Sequence, residues 1–212
     1  MIERAGTADR AADYFNELWR HGDPWDLDTD PFESAKYEAQ LALLDAGGRR
    51  YGRALEIGCA AGVFTRQLAR RCESVVALDI AKPAISLARS RTTATNVEYR
   101  LGNILQWDAE LDGDWDLIVL AETVYYLGWL YPFFDIAWLA HRLRDGMKPG
   151  GRLLLANTCG GVEDFLLRPW IIRTYHDLFR NAGFAVRHDT VFRGVKNGVE
   201  IEALITLAER AT

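Results

Sequence analysis

The residues with the clearest chemical meaning lie in the sequence ALEIGCAAG at positions 54–62, where an apolar strand pattern runs into a turn of small residues. Small residues are needed where the backbone turns tightly, approaches a ligand closely and leaves the N–H groups of the next helix pointing outward. Asp79 ends the following apolar segment, where an acidic side chain can accept hydrogen bonds from both hydroxyls of a ribose. The turn and Asp79 together predict a nucleoside-binding site.

The same segment indicates the charge of the bound nucleoside. Dinucleotide-binding enzymes use glycines in a G-x-G-x-x-G register, but counting from Gly58 places Ala60 and Val63 at the second and third positions. Glu56, just before the turn, would repel a pyrophosphate, whereas a carboxylate suits a ligand that carries an ammonium and a sulfonium. The alternative for Glu56 is a strand-end residue that only accepts hydrogen bonds from nearby backbone N–H groups.

Candidate residues for binding or activating a second substrate, called the acceptor below, follow a later strand pattern. Glu122 ends that pattern, at the edge where ligands collect in open α/β sheets, and can orient or deprotonate an acceptor. Tyr125, Tyr126 and Trp129 belong to an aromatic stretch that can wall an acceptor pocket or pack in the core, and Tyr126 is also a candidate catalytic residue. His176 is a further candidate base because imidazole titrates near neutral pH, although the sequence does not show which way it faces.

The elements that position these residues alternate from about residue 53 onward. Strand patterns occupy residues 53–58, 74–79, 97–101, 115–120, 151–157, 184–191 and 199–206, and helical patterns occupy residues 62–71, 83–91, 131–144 and 172–181. Such alternation requires right-handed crossovers and a mostly parallel sheet covered on both faces. The last two strands are joined by a turn at residues 193–198, which predicts an antiparallel hairpin at the sheet edge. We expect one α/β domain with seven strands.

The first fifty residues do not follow this rhythm. Residues 8–19 and 31–46 have helical patterns, and the turn-rich stretch 21–26 joins them. We expect residues 1–50 to form a helical cap on a core of residues 51–212. The cap either only covers the sheet or acts as a lid that closes over the ligand.

Several segments resemble the class I S-adenosylmethionine-dependent methyltransferases. The sequence EIGCAAG resembles their motif I, and Asp79 matches the acid that holds the cofactor ribose. Residues 101–104 (LGNI) resemble the loop that frames the adenine. Residues 115–122 (WDLIVLAE) resemble the fourth strand and its tip beside the transferring methyl, and residues 148–155 (KPGGRLLL) resemble the turn into the fifth strand.

The resemblance implies a single Rossmann-like domain that binds S-adenosyl-L-methionine and releases S-adenosyl-L-homocysteine. Ala60 stands where many members have glycine, and Asn103 stands where aspartate is more common, although its amide oxygen can still accept the adenine amino hydrogen. The core positions implied to bind the cofactor are Glu56, Gly58, Cys59, Ala60, Gly62, Asp79, Ile80, Asn103, Ile104 and Ala121.

The N-terminal segment is similar to the nodulation protein S-like branch, through the sequence DPW at residues 23–25 and PFESAKY at residues 31–37. Members of that branch methylate amino groups on sugar-type acceptors. The likeness implies that Trp25, Lys36 and Tyr37 close over the methionine end of the cofactor, with Lys36 on its carboxylate and an aromatic face on its sulfonium. Trp25 can instead pack the helices onto the sheet, and Lys36 can be a solvated surface charge.

Composition excludes several classes of partner. The net charge of −5 and the scattered Lys and Arg residues argue against nucleic acid. An apolar run long enough for a signal peptide or a membrane span is absent from the sequence, so we expect a cytoplasmic protein. Cys59, Cys72, Cys159 and the four histidines lack metal-ligand spacing, so we expect neither a metal nor a disulfide.

The resemblance implies N-methylation of an amino sugar or a natural-product amine, and we expect a monomer or homodimer. O-methylation of a sugar or phenolic hydroxyl is the alternative within the same enzyme class. A nicotinamide-dependent oxidoreductase and a non-catalytic cofactor-binding domain, either a sensor or a partner subunit, are the alternatives from other classes.

Overall fold

The computed structural model describes residues 5–107 and 113–211, with side chains from residue 10 onward. Residues 1–4 and 212, which belong to the predicted cap and core, lie outside the described residues. The strands are β1 (Tyr51–Ile57), β2 (Cys72–Asp79), β3 (Val97–Leu101), β4 (Trp115–Ala121), β5 (Met147–Gly160), β6 (Phe184–Lys196) and β7 (Val199–Arg210). The helices are α1 (Ala5–Leu18), α2 (Pro31–Asp45), α3 (Val63–Leu68), α4 (Lys82–Arg91), α5 (Val124–Leu130), α6 (Phe133–Asp145) and α7 (Pro169–Asn181).

The seven strands form one sheet in the order β3-β2-β1-β4-β5-β7-β6. Strands β1 to β5 pair in parallel, and β7 runs antiparallel to both β5 and β6. The expected mostly parallel sheet with an antiparallel edge hairpin is therefore confirmed. The strand order reverses between β1 and β4, and ligands of open α/β sheets bind at the carboxyl ends of the strands beside such a reversal.

Strand β4 shows why the central strands are almost continuously apolar. Leu117 and Val119 point into a core layer shared with α2 and α3, whereas Ile118 and Leu120 point into the layer shared with α6 and α7. Because both faces are buried, alternation of polar and apolar residues disappears from the sequence of this strand. Glu122 directly follows the last residue of this buried strand.

Two of the differences between the structure and the sequence-based elements concern α5 and the hairpin, which both line the cavity. Residues 124–130 form α5, which we did not predict because the sequence VYYLGWL contains Gly128 and β-branched or aromatic residues of weak helix propensity. The hairpin strands are longer than expected, and only Asn197 and Gly198, both with positive φ, form the tight turn between them.

Helix α1 packs near the carboxyl ends of β1 and β2, and α2 crosses the face of the sheet that α3 also covers. Trp19, directly after α1, contacts a small-residue cluster that includes Ala61 and Ala84, and Leu41 and Leu44 of α2 enter the core layer beside α3. Within the described ranges, no helix combines the length and apolarity needed to cross a bilayer.

Candidate functional site

A cavity of about 410 Å³ opens at the carboxyl ends of β1, β2 and β4, and the N-terminal helices form its outer wall. Its volume lies in the range of small-molecule sites. The structure brings most of the predicted site residues together here. They are Trp25, Lys36, Tyr37, Glu56, Gly58, Cys59, Ala60, Asp79, Ile80, Asn103, Ile104, Ala121, Glu122, Tyr125 and Tyr126.

The turn after β1 is held open by small residues for identifiable steric reasons. Gly58 has φ +79°, and a Cβ there would lie 2.4 Å from Thr123 Oγ1. Gly62 does not line the cavity, but a Cβ on it would lie 2.4 Å from the Tyr99 hydroxyl oxygen, so glycine is required for packing under α3. Ala60 adopts φ +50°, a left-handed conformation that glycine adopts more readily.

Asp79 is fixed with its carboxylate facing this turn. Its Oδ2 accepts a hydrogen bond from Ala60 N at 2.8 Å, and its Oδ1 accepts one from Ala81 N at 2.8 Å. Burial raises the pKa of Asp79, and these backbone N–H groups oppose that shift. Each carboxylate oxygen keeps a second lone pair, so the side chain can still receive two hydroxyl donors.

Glu56 lies below the turn and is almost completely buried. Thr65 Oγ1 donates a hydrogen bond to Glu56 Oε2 at 2.5 Å. Burial raises the pKa of Glu56 to about 8, because the Thr65 hydroxyl compensates only part of the lost hydration. Glu56 is therefore mostly protonated at neutral pH in the free protein. The simpler alternative, a carboxylate satisfied by backbone N–H groups, does not match this hydrogen bond from a side chain.

The end of the cavity beside β3 is apolar, with the amide of Asn103 at its rim. Asn103 Nδ2 donates to the Tyr131 hydroxyl at 2.6 Å, and Asn103 Oδ1 accepts from Leu105 N at 3.0 Å. Ile80 and Ile104 complete this wall. The Asn103 oxygen retains one lone pair for a ligand amino group.

Four alternating charges cross the cavity wall from the hairpin to the tip of β4. Lys196 Nζ donates to Glu33 Oε1 at 2.8 Å and to the Trp25 carbonyl oxygen at 2.8 Å. Lys36 Nζ lies 2.8 Å from Glu33 Oε2 and 2.8 Å from Glu122 Oε1. Burial works against a charged Lys36, but Glu122 and Glu33 outweigh it and raise the Lys36 pKa.

This arrangement changes the interpretation of Lys36. Its side chain is 2% exposed, so it is not a solvated surface charge. Its ammonium is already shared by two carboxylates, which makes it a partner of Glu122 in the described structure. Tyr37 lies beside it and stacks on Phe64 with ring centroids 5.2 Å apart, while Trp25 packs edge-on against Trp19 at 5.6 Å.

Glu122 is held by further donors in a strained backbone conformation with φ +52°. Its Oε2 accepts from Thr158 N at 2.9 Å and from the Tyr125 hydroxyl at 3.2 Å, and its Oε1 also accepts from Thr158 Oγ1 at 3.1 Å. With Lys36, four donors occupy the two carboxylate oxygens. These donors occupy the carboxylate lone pairs, so Glu122 anchors the side chains around it.

Two predicted acceptor-site residues lie away from the cavity. His176 is buried between α7 and the sheet, where burial lowers its pKa to about 3, so it is neutral and does not reach an acceptor in this cavity. Trp129 is half exposed on α5 and packs against Tyr14 with ring centroids 5.3 Å apart. The sequence could not reveal the orientation of Trp129 because α5 was not predicted, and the predicted helix around His176 did not show which face meets the sheet.

Several cavity residues were missed by the sequence analysis. Glu33 had a detectable signal, because it lies three positions before Lys36 on one helix face. Thr158, Asp164 and Lys196 had none, since they reach the cavity from β5, a loop and the hairpin. Asp164 is exposed where it lines the cavity, and one of its oxygens accepts Leu166 N at 2.9 Å.

Comparison with known proteins agrees with this geometry. The family model described as nodulation protein S (NodS) matches residues 7–130. Nodulation protein S of Rhizobium tropici is 35% identical over 149 residues, which are 70% of this chain and 58% of that protein. Nodulation protein S of Sinorhizobium fredii (strain NBRC 101917 / NGR234) is 32% identical over 152 residues, with 70% and 64% covered. The chain thus spans less than two thirds of the length of these curated relatives.

A solved structure is similar over almost the whole chain. It is the N-methyltransferase NodS from Bradyrhizobium japonicum WM9 in complex with S-adenosyl-L-homocysteine, with a TM-score of 0.80 and 25% sequence identity. The similarity covers 95% of this chain and 99% of that one. The fold and the family model together establish that the chain belongs to the nodulation protein S family of class I S-adenosylmethionine-dependent methyltransferases.

Proposed function

We propose that this protein transfers a methyl group from S-adenosylmethionine to the amino group of a small acceptor, of the amino-sugar or natural-product amine type. The observation that carries the proposal is the charge of the cavity. Lys36 and Lys196 are the only cationic residues that line its described part, and both are paired with carboxylates. Asp164 and the tyrosines remain to meet a basic acceptor.

The residues present fit the proposed cofactor. Asp79 offers two lone pairs to ribose hydroxyls, and Asn103 offers one to the adenine amino group. Glu56 lies where an ammonium would stabilise its ionised form, and aromatic Trp25 and Tyr37 suit a sulfonium. When bound, the cofactor supplies a methyl group on positively charged sulfur, which needs little further activation.

The chain's own residues then have to position a neutral amine and exclude water. The Tyr125 hydroxyl donates a hydrogen bond to Glu122. Its oxygen lone pairs can therefore accept a hydrogen bond from an N–H group. Burial raises the pKa of Tyr126 to about 12, with smaller contributions from Tyr14, Glu122 and Asp164, so Tyr126 also stays protonated at neutral pH. This end of the cavity therefore attracts an amine and holds it by hydrogen bonds.

O-methylation is disfavoured by the state of Glu122. A hydroxyl acceptor benefits from a base as it attacks, whereas an amine needs only to arrive unprotonated. The carboxylate best placed to be that base already accepts four hydrogen bonds. Its remaining role is electrostatic and structural.

The proposal is tested first by cofactor binding and then by acceptor turnover. Calorimetric titrations with S-adenosylmethionine and NADH should show binding of the sulfonium compound alone. Glucosamine, N-acetylglucosamine and glucose then form a matched acceptor series, read by release of S-adenosylhomocysteine. Turnover of the free amine alone is expected. Turnover of glucose at an equal rate would overturn N-methylation, and tight NADH binding without a response to S-adenosylmethionine would overturn the enzyme class.

Asp79→Asn tests the ribose contact against a matched control. An amide cannot accept at both positions now filled by backbone N–H groups, so we expect cofactor affinity to fall more than tenfold, through charge-assisted hydrogen bonds each worth roughly 1.5–3 kcal/mol. Asp116→Asn changes a carboxylate that accepts Arg53 N near the amino ends of β1 and β4, at the other end of these strands from the cavity. It should leave cofactor affinity unchanged.

A further inference from the structure

A continuous line of hydrogen-bonded polar groups, exposed at its outer end and buried at its inner end, connects the outer strands to the turn that carries Glu122. Arg173 of α7 pairs with Asp189 of β6, and Asp189 Oδ1 accepts the Thr206 hydroxyl at 2.6 Å. Thr206 Oγ1 lies 2.8 Å from His176 Nδ1, and His176 Nε2 lies 3.1 Å from Asn157 Nδ2. Asn157, His176 and Thr206 are each at most 3% exposed.

The carboxylate of Asp189, at the outer end of the line, determines which group donates in each hydrogen bond up to His176. Burial opposes ionisation of Asp189, but hydrogen bonds from Thr206 and Arg173 outweigh it and lower the Asp189 pKa, so this carboxylate can only accept. The Thr206 proton therefore points to Asp189. The Thr206 oxygen then has only lone pairs for His176, and His176 Nδ1 must carry a proton.

The inner end fixes the same direction independently. Asn157 Oδ1 accepts Thr123 N at 3.2 Å and Val124 N at 3.3 Å. Because these donors are backbone N–H groups, the Asn157 amide cannot be flipped without opposing donor to donor. Its NH₂ group therefore faces His176 Nε2, which must present a lone pair.

We propose that His176 is a positioning residue for methyl transfer, held as the neutral Nδ1–H tautomer, which orients Asn157 so that Asn157 binds the first N–H groups of the turn after Glu122. The proposal rests on the proposed function, since it assumes that Tyr125, anchored by Glu122, holds the acceptor. It replaces the role of base expected for His176 from the sequence.

The turn needs this support because it is strained. Glu122 has a left-handed backbone, and Thr123 precedes α5 without a capping hydrogen bond from its own side chain. The Asn157 oxygen binds the N–H groups of Thr123 and Val124, which lie at the start of the helix and have no acceptor within it. Loss of the Asn157 orientation would shift Glu122, and with it Tyr125, which lies in the first turn of α5.

The tautomer is tested by nitrogen-15 NMR of the His176 ring in the intact protein, without any acceptor. Arg173 of α7 and Asp189 of β6 are the charged groups facing the ring, with opposite effects on its charge. We expect protonated Nδ1, unprotonated Nε2 and no titration between pH 5 and 8. The Nε2–H tautomer, or an imidazolium in that range, would overturn the proposal. In Asn157→Asp, the carboxylate should draw a proton onto Nε2 and make the ring cationic at pH 7.

Kinetics separate positioning from base catalysis. His176→Leu should lower kcat about tenfold with cofactor affinity unchanged within about twofold, whereas His176→Gln, which keeps one donor and one acceptor, should stay within about threefold of the parent. His141→Leu, on the exposed face of α6, is the matched control and should be neutral. Equal inactivity of the Gln and Leu variants, or equal loss of cofactor affinity, would overturn positioning. If no amine is methylated at all, the proposed function fails while the NMR result stands by itself.

Discussion

Replacing Glu56 with glutamine removes one ionisable proton from the protein interior while keeping the shape of the side chain. The parent carboxyl has a pKa raised by burial from 4.5 to about 8. A carboxyl that holds its proton more tightly when folded contributes stability that is complete below pH 4.5 and is lost as pH rises through 8. At about 1.4 kcal/mol per pKa unit, the parent should lose roughly 3–4 kcal/mol of unfolding free energy between pH 5 and pH 8 from this group alone.

The measurement is urea unfolding of both proteins at several pH values in that range. The introduced amide mimics the protonated carboxyl and can still accept from Thr65, so the Glu56→Gln variant should lack this slope and become the more stable protein toward pH 8. Asp116→Asn is the control, because the burial of Asp116 is outweighed by Arg53 N and Lys148 and its pKa is lowered, so its effect is confined to more acidic pH. Parallel curves for the parent and the Glu56→Gln variant would refute the reasoning.

Three further substitutions test other parts of the site. Lys36→Met removes the buried ammonium that Glu33 and Glu122 share, while Glu33 keeps Lys196, so it should cost about 3 kcal/mol in unfolding free energy, measured by urea titration; a loss below about 1 kcal/mol would contradict the charge chain. Gly58→Ala should weaken cofactor affinity more than tenfold in calorimetry, because the new Cβ meets Thr123, whereas Gly198→Ala shares the positive φ but has nothing within 4 Å and should not. Tyr125→Phe should reduce kcat/KM for the amine about tenfold at unchanged cofactor affinity, and a matching fall in cofactor affinity would remove Tyr125 from the acceptor site.

Sequence reasoning succeeded where local pattern and local chemistry coincide. The central strands are apolar because they are buried on both faces, and the turn after β1 must be small because Gly58 approaches Thr123 closely. The resemblance to a known family was carried by these same residues, and it is confirmed by the family model and by the fold.

The rest depends on contacts between distant parts of the chain. Glu33 and Lys36 are spaced like an ordinary surface pair, and their burial follows from Glu122, 86 positions after Lys36. Helix α5 has weak intrinsic propensity and is supported by Asn157, while its Gly128 allows the close approach of Tyr175. The protonation state of His176 required partners on three strands. None of these contacts leaves a periodic signal in the sequence.

The bond from Lys196 to the Trp25 carbonyl oxygen joins residues 171 positions apart. The outer wall of the cavity is thus tied down by a segment that leaves the ribosome long after the strands of the nucleoside site. A growing chain that has reached residue 130 contains the nucleoside-contacting strands but still lacks the hairpin, Thr158 and Asn157. The cofactor should consequently bind only late in the synthesis of the chain. Deletion of the hairpin should abolish cofactor binding while the parallel strands remain folded.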